Sequence, residues 1–248
     1  MQLLLINPNT TESITELVVQ HARGFASPHT VIRGATGRFG ARYVATRAAH
    51  AIAAHAALDA YAEHGAGADV VILACFGDPG LFGLRELAHQ PVFGLAEIGC
   101  QAAAKLEGRF AIVTGGERWG PMLEEFVASI GLSAQLAGIC TVAPSGAEIA
   151  SNPDAALTLL ADACNGAIEK HGASSVILGG AGLAGIAPRI APRVRAPLID
   201  PLQIGVREAE RLAAAPPAKP RSGSYAPTTP VPTVGLGERL ALRMEGRA

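Results

Sequence analysis

The chain repeats itself. Val71-Ile72-Leu73-Ala74-Cys75-Phe76-Gly77 lines up with Val176-Ile177-Leu178-Gly179-Gly180-Ala181-Gly182, and Pro91 to Gly99 lines up with Pro197 to Gly205. Beyond that block, Ala103, Lys105 and Leu106 face Ala209, Arg211 and Leu212. Leu3 to Thr10 aligns with Phe110 to Glu117, so several blocks share an offset of about 106. Matching blocks in the same order at nearly one offset demand two similar folded halves. The crossover between them falls near residue 97.

Each half reads as alternating strands and helices. Strands are expected at Leu3 to Asn7, Thr30 to Arg33, Asp69 to Ala74, Val92 to Gly94, Phe110 to Thr114, Ala134 to Ile139, Ser175 to Gly179 and Leu198 to Asp200. Most are continuous apolar runs, as in strands buried on both faces. Helical patterns occupy Thr10 to His21, with Asn9 as cap and Glu12 completing a capping box, and the alanine-rich stretch Tyr43 to His64. Leu81 to Ala88 and Leu202 to Ala214 also read as helices, as does Ala155 to Lys170 behind Pro153. Alternation of this kind implies a parallel sheet covered on both faces. The expected fold class is α/β, with two pseudo-symmetric Rossmann-like parallel-sheet halves. Residues 1–97 with 202–214 form the first half and residues 98–201 the second. Residues 215–248 form a Pro-rich tail that is either disordered or laid on the surface.

Composition excludes several classes of function. Lys plus Arg is 20 and Asp plus Glu is 21, so no basic excess favours nucleic acid, and no basic amphipathic stretch favours a membrane surface. No apolar run approaches the roughly 18 residues of a membrane span. The N-terminus enters a strand with no positively charged leader, so no signal peptide is expected. Cys75, Cys100, Cys140 and Cys164 are widely spaced and form no CxxC pair. Free thiols in a cytoplasmic protein fit that pattern. The seven histidines are scattered without an HExxH or Cys/His cluster, so no metal is expected. Lys105, Lys170 and Lys219 offer no obvious anchor for pyridoxal phosphate, and no cofactor is expected.

Ligands of parallel α/β sheets bind at the carboxyl ends of the strands. Cys75 sits at such an end, flanked by the tight-turn residues Gly77, Asp78, Pro79 and Gly80. The N–H groups of the helix that follows are expected to lower its thiol pKa toward neutrality, giving a base or nucleophile. The other three cysteines read as structural. Asn7, Asn9 and, in the second half, Thr114 close their strands with groups able to donate to a carboxylate or imide-like carbonyl. Glu117 and Arg118 read as a solvated first helical turn. Gly180-Ala181-Gly182-Leu183-Ala184-Gly185 matches G-x-G-x-x-G, with Asp200 near the place of a ribose acid, so dinucleotide binding is an alternative. Pro188 and Pro192 count against it, because they interrupt the helix that must follow.

The strand end Asn7-Pro8-Asn9-Thr10 and the block Ile72 to Gly80 resemble hydantoin and allantoin racemases of the aspartate/glutamate/hydantoin racemase superfamily. Gly94 to Glu97 and Leu178 to Gly182 strengthen the likeness, which spans about residues 1 to 212. The resemblance implies an active site between the halves, with one cysteine from each moving a proton at a carbon alpha to a carbonyl. It maps the first cysteine onto Cys75, backbone donors onto Phe76, Gly77, Ala181 and Gly182, and polar contacts onto Asn7 and Thr114. The second cysteine maps onto position 180, where this chain has glycine. Three readings follow: a racemase whose second face is served by another group or a water, a single-cysteine decarboxylase resembling arylmalonate decarboxylase, or a nucleophilic Cys75 as in maleate isomerases. A non-catalytic protein binding a small ligand is the remaining alternative. Gly180→Cys is expected to raise racemisation by restoring a second thiol. The substrate implied is a small molecule, and the resemblance leaves room for a homo-oligomer.

Overall fold

The computed structural model describes residues 1–227 and 229–247; residues 228 and 248 of the expected tail lie outside the described residues. The strands are β1 (Gln2–Asn7), β2 (Val31–Thr36), β3 (Val70–Leu73), β4 (Val92–Gly94), β5 (Phe110–Gly115), β6 (Leu136–Val142), β7 (Ser175–Gly179) and β8 (Leu198–Ile199). The helices are α1 (Glu12–Phe25), α2 (Arg47–His64), α3 (Leu81–Leu87), α4 (Leu95–Ala103), α5 (Trp119–Ser129), α6 (Gly146–Ser151), α7 (Pro153–His171), α8 (Ala187–Ile190), α9 (Pro201–Ala214) and α10 (Glu238–Met244). The strands form two parallel four-stranded sheets, β2-β1-β3-β4 and β6-β5-β7-β8. Leu3 stands opposite Val70 in the first sheet and Phe110 opposite Ser175 in the second, so the halves share strand order and register. The α/β architecture with two parallel-sheet halves is that expected from the repeat.

Central strands carry the core. Leu3 to Ile6 are no more than 1% exposed, and Val70 to Leu73 and Ala111 to Val113 are fully buried. These are the continuous apolar runs of the sequence, and burial of each large side chain contributes about 1.5–3 kcal/mol. The halves share part of this core through two exchanged helices. α4 leaves the first sheet and packs on β7 of the second, while α9 leaves the second sheet and packs on β3 of the first. The repeat places a glycine at each crossing. A Cβ on Gly99 would lie 3.3 Å from Ile177 Cγ2, and a Cβ on Gly205 would lie 3.3 Å from Ile72 Cδ1. The bare backbone therefore lets each helix approach the other half's central strand.

Two local expectations are corrected. Helix α2 starts at Arg47 rather than Tyr43, because Thr46 caps it by accepting from the Ala49 N–H. Tyr43 is thereby freed into the preceding loop. Helix α1 starts at Glu12 behind Thr11, which makes no side-chain cap, and Asn9 instead accepts from the Thr11 N–H in an Asx-turn. The Pro-rich segment is laid on the first half. Lys219 Nζ donates to the carbonyls of Arg85, Glu86 and Ala88 at the end of α3. α10 packs on α2, with Leu240 buried and the Arg243 guanidinium 4.9 Å from the Tyr61 ring centre.

Because the crossings are already in tight contact, Gly99→Val and Gly205→Val are each expected to destabilise the protein by about 1–3 kcal/mol through overpacking. Urea denaturation of the variants measures this. Unchanged midpoints would mean that the helices do not hold the halves together at these points.

Candidate active site

Both sheets direct their strand ends into one cleft. A small cavity, partly open to solvent, lies there. The first half lines it with Asn9, Ile14, Tyr43, Val44, Cys75 and Phe76. The second half lines it with Thr114, Gly115, Trp119, Gly146, Ala147 and the turn Gly180 to Leu183. Thus Cys75, Asn9, Phe76, Thr114, Gly180, Ala181 and Gly182 come together, although they are spread over most of the chain. Asn7 and Gly77 do not line the cavity. Asn7 is buried behind the wall, and its Nδ2 donates to Asn9 Oδ1 (2.9 Å), Thr15 Oγ1 (3.0 Å) and the Thr11 carbonyl. It therefore positions Asn9, whose own Nδ2 has no acceptor among the described residues. Gly77 is covered by Trp119: a Cβ there would lie 2.5 Å from Trp119 Cζ3.

The Cys75 loop is held from three sides. The Asp78 N–H donates to the Cys75 carbonyl (3.0 Å), closing a tight turn that needs positive φ at Gly77 (+104°) and, unusually for a residue with a side chain, at Asp78 (+50°). The Asp78 carboxylate accepts from the N–H groups of Ala96 (2.9 Å) and Glu97 (2.7 Å), the first turn of α4. This fastens the loop to the helix that crosses between the halves. Burial holds the Asp78 carboxyl well above the usual carboxylate range, against the pull of those two N–H bonds. Behind the loop, His50 Nε2 donates to the Gly77 carbonyl (3.0 Å), and its ring meets the Trp119 ring edge-on. On the second half's side, the Phe76 ring lies where a Cβ of Gly179 would sit, 2.4 Å from Phe76 Cε1.

The thiol is buried, and burial, followed by the charge of Asp78, pushes its pKa up to about 12. The expected lowering does not occur. α3 begins at Leu81 behind a separate left-handed turn at Gly80, so its N-terminus does not cap the Cys75 strand. Several donors do surround the cavity: the backbone N–H groups of Phe76, Ala181 and Gly182 meet no acceptor among the described residues. The Thr114 hydroxyl is likewise without a partner among them. Glu117 and Arg118 are exposed ahead of α5, as expected of a solvated turn.

Sequence reasoning missed Tyr43 and Trp119. The Tyr43 hydroxyl donates to the Gly115 carbonyl (3.2 Å) and accepts from the Gly146 N–H (3.2 Å), so a first-half side chain stands on second-half backbone. Burial raises its pKa. The signal for it was Thr46, a helix cap that leaves the preceding tyrosine in a loop. Trp119 is the chain's single tryptophan and opens α5.

The dinucleotide reading is contradicted. After β7 the glycines form a short 3-10 turn, Ala181–Leu183, and the next helix, α8, has only four residues. Asp200 accepts from the N–H groups of Leu202 and Gln203 as the cap of α9. Among the described residues, no group of three or more His, Cys, Asp or Glu side chains is placed to hold a metal ion, and no helix is long and apolar enough to cross a membrane. All four cysteines are unpaired.

Gly180 has φ +141° and ψ 130°, a region essentially reserved for glycine, and a Cβ there would lie 2.9 Å from Leu183 Cδ1. The second half therefore lacks the backbone that would present a thiol, as well as the thiol. Gly180→Cys is expected to cost about 1–3 kcal/mol in backbone strain, measured by urea denaturation. Parental stability would show that the turn readily adopts the conformation of its counterpart at Cys75.

Comparison with known proteins follows the same outline. The Asp/Glu/Hydantoin racemase family model matches residues 3–209. A hydantoin racemase of Paenarthrobacter aurescens is 32% identical over 229 residues, covering 91% of this chain and 96% of that protein. The crystal structure of allantoin racemase from Pseudomonas fluorescens superposes with a TM-score of 0.90 at 31% identity, covering 95% of this chain and 100% of the other. Arylmalonate decarboxylase superposes with a TM-score of 0.58 at 18% identity over 91% of this chain and 97% of the other. That likeness shows a shared fold alone and lends no support to the decarboxylase alternative.

Proposed function

The chain belongs to the Asp/Glu/hydantoin racemase family, and from that premise we propose a cofactor-independent racemase of small, uncharged cyclic amides, such as a 5-substituted hydantoin or an allantoin-like ureide. The observation that carries the substrate class is the cavity wall: none of its lining residues bears a formal charge. A free amino acid would bring an ammonium and a carboxylate, and burying either without a counter-charge is costly. A cyclic amide brings carbonyls and N–H groups instead. These match the unpartnered N–H groups of Phe76, Ala181 and Gly182 and the side chains of Asn9 and Thr114. The four unpaired cysteines suit a reducing compartment such as the cytoplasm.

In the mechanism, the Cys75 thiolate takes the proton from the carbon alpha to the carbonyl. The C–H electron pair moves onto the carbonyl oxygen as an enolate, and the backbone N–H groups stabilise the developing charge. Protonation of the opposite face gives the inverted enantiomer, and protonation from Cys75 regenerates the substrate.

Proton NMR in deuterium oxide with single-enantiomer 5-substituted hydantoins, paired with chiral chromatography, tests the reading. The parent protein is expected to remove the α-proton signal and invert the centre. Cys75→Ser is expected to lower the rate by about 10²–10⁴-fold or more. Turnover retained in Cys75→Ser, or no exchange in the parent, would overturn it.

The raised thiol pKa also sets the pH profile. The groups around the thiol are Asp78 on its own loop, His50 behind Gly77 and Tyr43 across the cavity. A base whose pKa lies at about 12 is mostly protonated at neutral pH. kcat/KM in the direction that uses the thiolate therefore rises by about tenfold per pH unit between about pH 6 and 9. A plateau beginning near neutrality would mean that the thiol of the free enzyme is lowered instead.

A further inference from the structure

We propose that Tyr43 is the proton carrier for the second face, in the role that position 180 cannot fill. The proposal rests on the racemase reading above. Its first support is elimination. Of the residues lining the cavity, only Cys75 and Tyr43 carry a side-chain proton that can ionise in the range where enzymes work. Asn9, Thr114 and Trp119 do not, and the rest are aliphatic, phenylalanine or glycine.

The second support is placement. Cys75 stands at the end of β3 in the first sheet. The Tyr43 hydroxyl is bonded to Gly115, at the end of β5 in the second sheet, and to Gly146, the first residue of α6. Gly146 packs directly on the turn after β7: a Cβ on Gly182 would lie 2.1 Å from the Gly146 carbonyl oxygen, and a Cβ on Gly146 would lie 3.8 Å from Leu183 Cδ1. The phenol is thus held on the second half's side of the cleft by second-half backbone, with its ring in the cavity wall. On this placement, a ring bound in the cleft would meet the thiol from the first sheet and the phenol from the second half's side.

The step balances as follows. Cys75 as thiolate accepts the α-proton, and the C–H pair becomes the enolate. A new C–H bond then forms on the opposite face with the Tyr43 proton as the O–H bond breaks. The products are the inverted substrate, a neutral thiol and a phenolate. The Gly146 N–H already donates to the phenolic oxygen and stabilises that phenolate. The reverse reaction starts from this state, with Tyr43 as base and Cys75 as acid. Otherwise solvent returns a proton to Tyr43 and takes one from Cys75, and no other reactant is consumed.

Tyr43→Phe separates the two faces. For the enantiomer whose α-hydrogen faces Cys75, exchange with deuterium oxide is expected to remain measurable with retained configuration. Racemisation is expected to fall by about 10²-fold or more, and the other enantiomer should lose exchange altogether. The unaltered protein gives a second test that is independent of folding in the variant: at low conversion in deuterium oxide, each inverted product molecule should carry solvent deuterium at the α-carbon. Tyr43→Phe racemising within about threefold of the parent would overturn the assignment and point to water, and product that keeps the substrate's own hydrogen would overturn it and point to the thiol alone. Absence of exchange in the parent would overturn the racemase reading itself, and with it this proposal.

Discussion

The exchange of α4 and α9 is the contact on which the cleft depends. Each half alone is a four-stranded parallel sheet whose strand ends form only one side of the cleft. When α4 lies on β7 and α9 on β3, the sheets share apolar side chains and their strand ends must face each other. Gly99 and Gly205 favour this approach, because a Cβ at either crossing would lie 3.3 Å from Ile177 or Ile72, closer than an ordinary contact. Asp78 converts the same arrangement into local order. Its carboxylate accepts two N–H groups from the start of α4, so the helix that joins the halves also grips the loop carrying the thiol. Phe76 over Gly179 and Trp119 over Gly77 close the contact from opposite directions.

That arrangement was legible in the sequence because it is written twice. The repeat aligned Gly99 with Gly205 and Cys75 with Gly180, and parallel strands buried on both faces appear as uninterrupted apolar runs. The strand expectations accordingly met each of the eight strands among the described residues, with boundaries displaced by a few residues. What escaped was set by single hydrogen bonds that leave periodicity unchanged. An alanine-rich pattern continues smoothly through Tyr43, and only the Thr46 cap stops the helix short of it. Asn9 looked like a helix cap because its Asx-turn uses the same acceptor, one step earlier in the chain. The G-x-G-x-x-G match misled for a related reason: the glycines serve a tight turn and a close approach to Gly146, and no long helix follows them. The tail composition did not distinguish disorder from packing, since Lys219 acts through backbone carbonyls that no sequence pattern records.

The site is asymmetric where the scaffold is symmetric. Evolution of a pseudo-twofold cleft allows the two strand ends to diverge, provided the shared core is kept. Here the first half presents a thiol on a turn closed by Asp78, whereas the second presents a bare backbone whose N–H groups at Ala181 and Gly182 meet no acceptor among the described residues. A side chain at 180 would occupy part of the cavity, and its absence leaves room for a ring with a substituent. The second half is thus better suited to gripping a carbonyl than to moving a proton, and its proton carrier is lent by the first half through Tyr43.

Burial of the thiol creates a tension that only the substrate relieves. Raising a base's pKa makes each thiolate a stronger base, but the rate gains less than one power of ten per pKa unit while the ionised fraction loses a full one below that pKa. A thiol held at about 12 is therefore a poor base in the empty cleft. Its elevation comes first from desolvation, which is the quantity a bound polar ring changes most directly. Amide N–H groups of a cyclic ureide placed near the sulfur would favour the thiolate, and the same ring delivers the carbonyl that the free backbone donors need. An aliphatic molecule of equal size would leave the thiol protonated and those donors unpaired. Discrimination in this cleft would then arise in the ionisation of Cys75 itself, since a ring that fails to supply polar groups also fails to generate the base that would act on it.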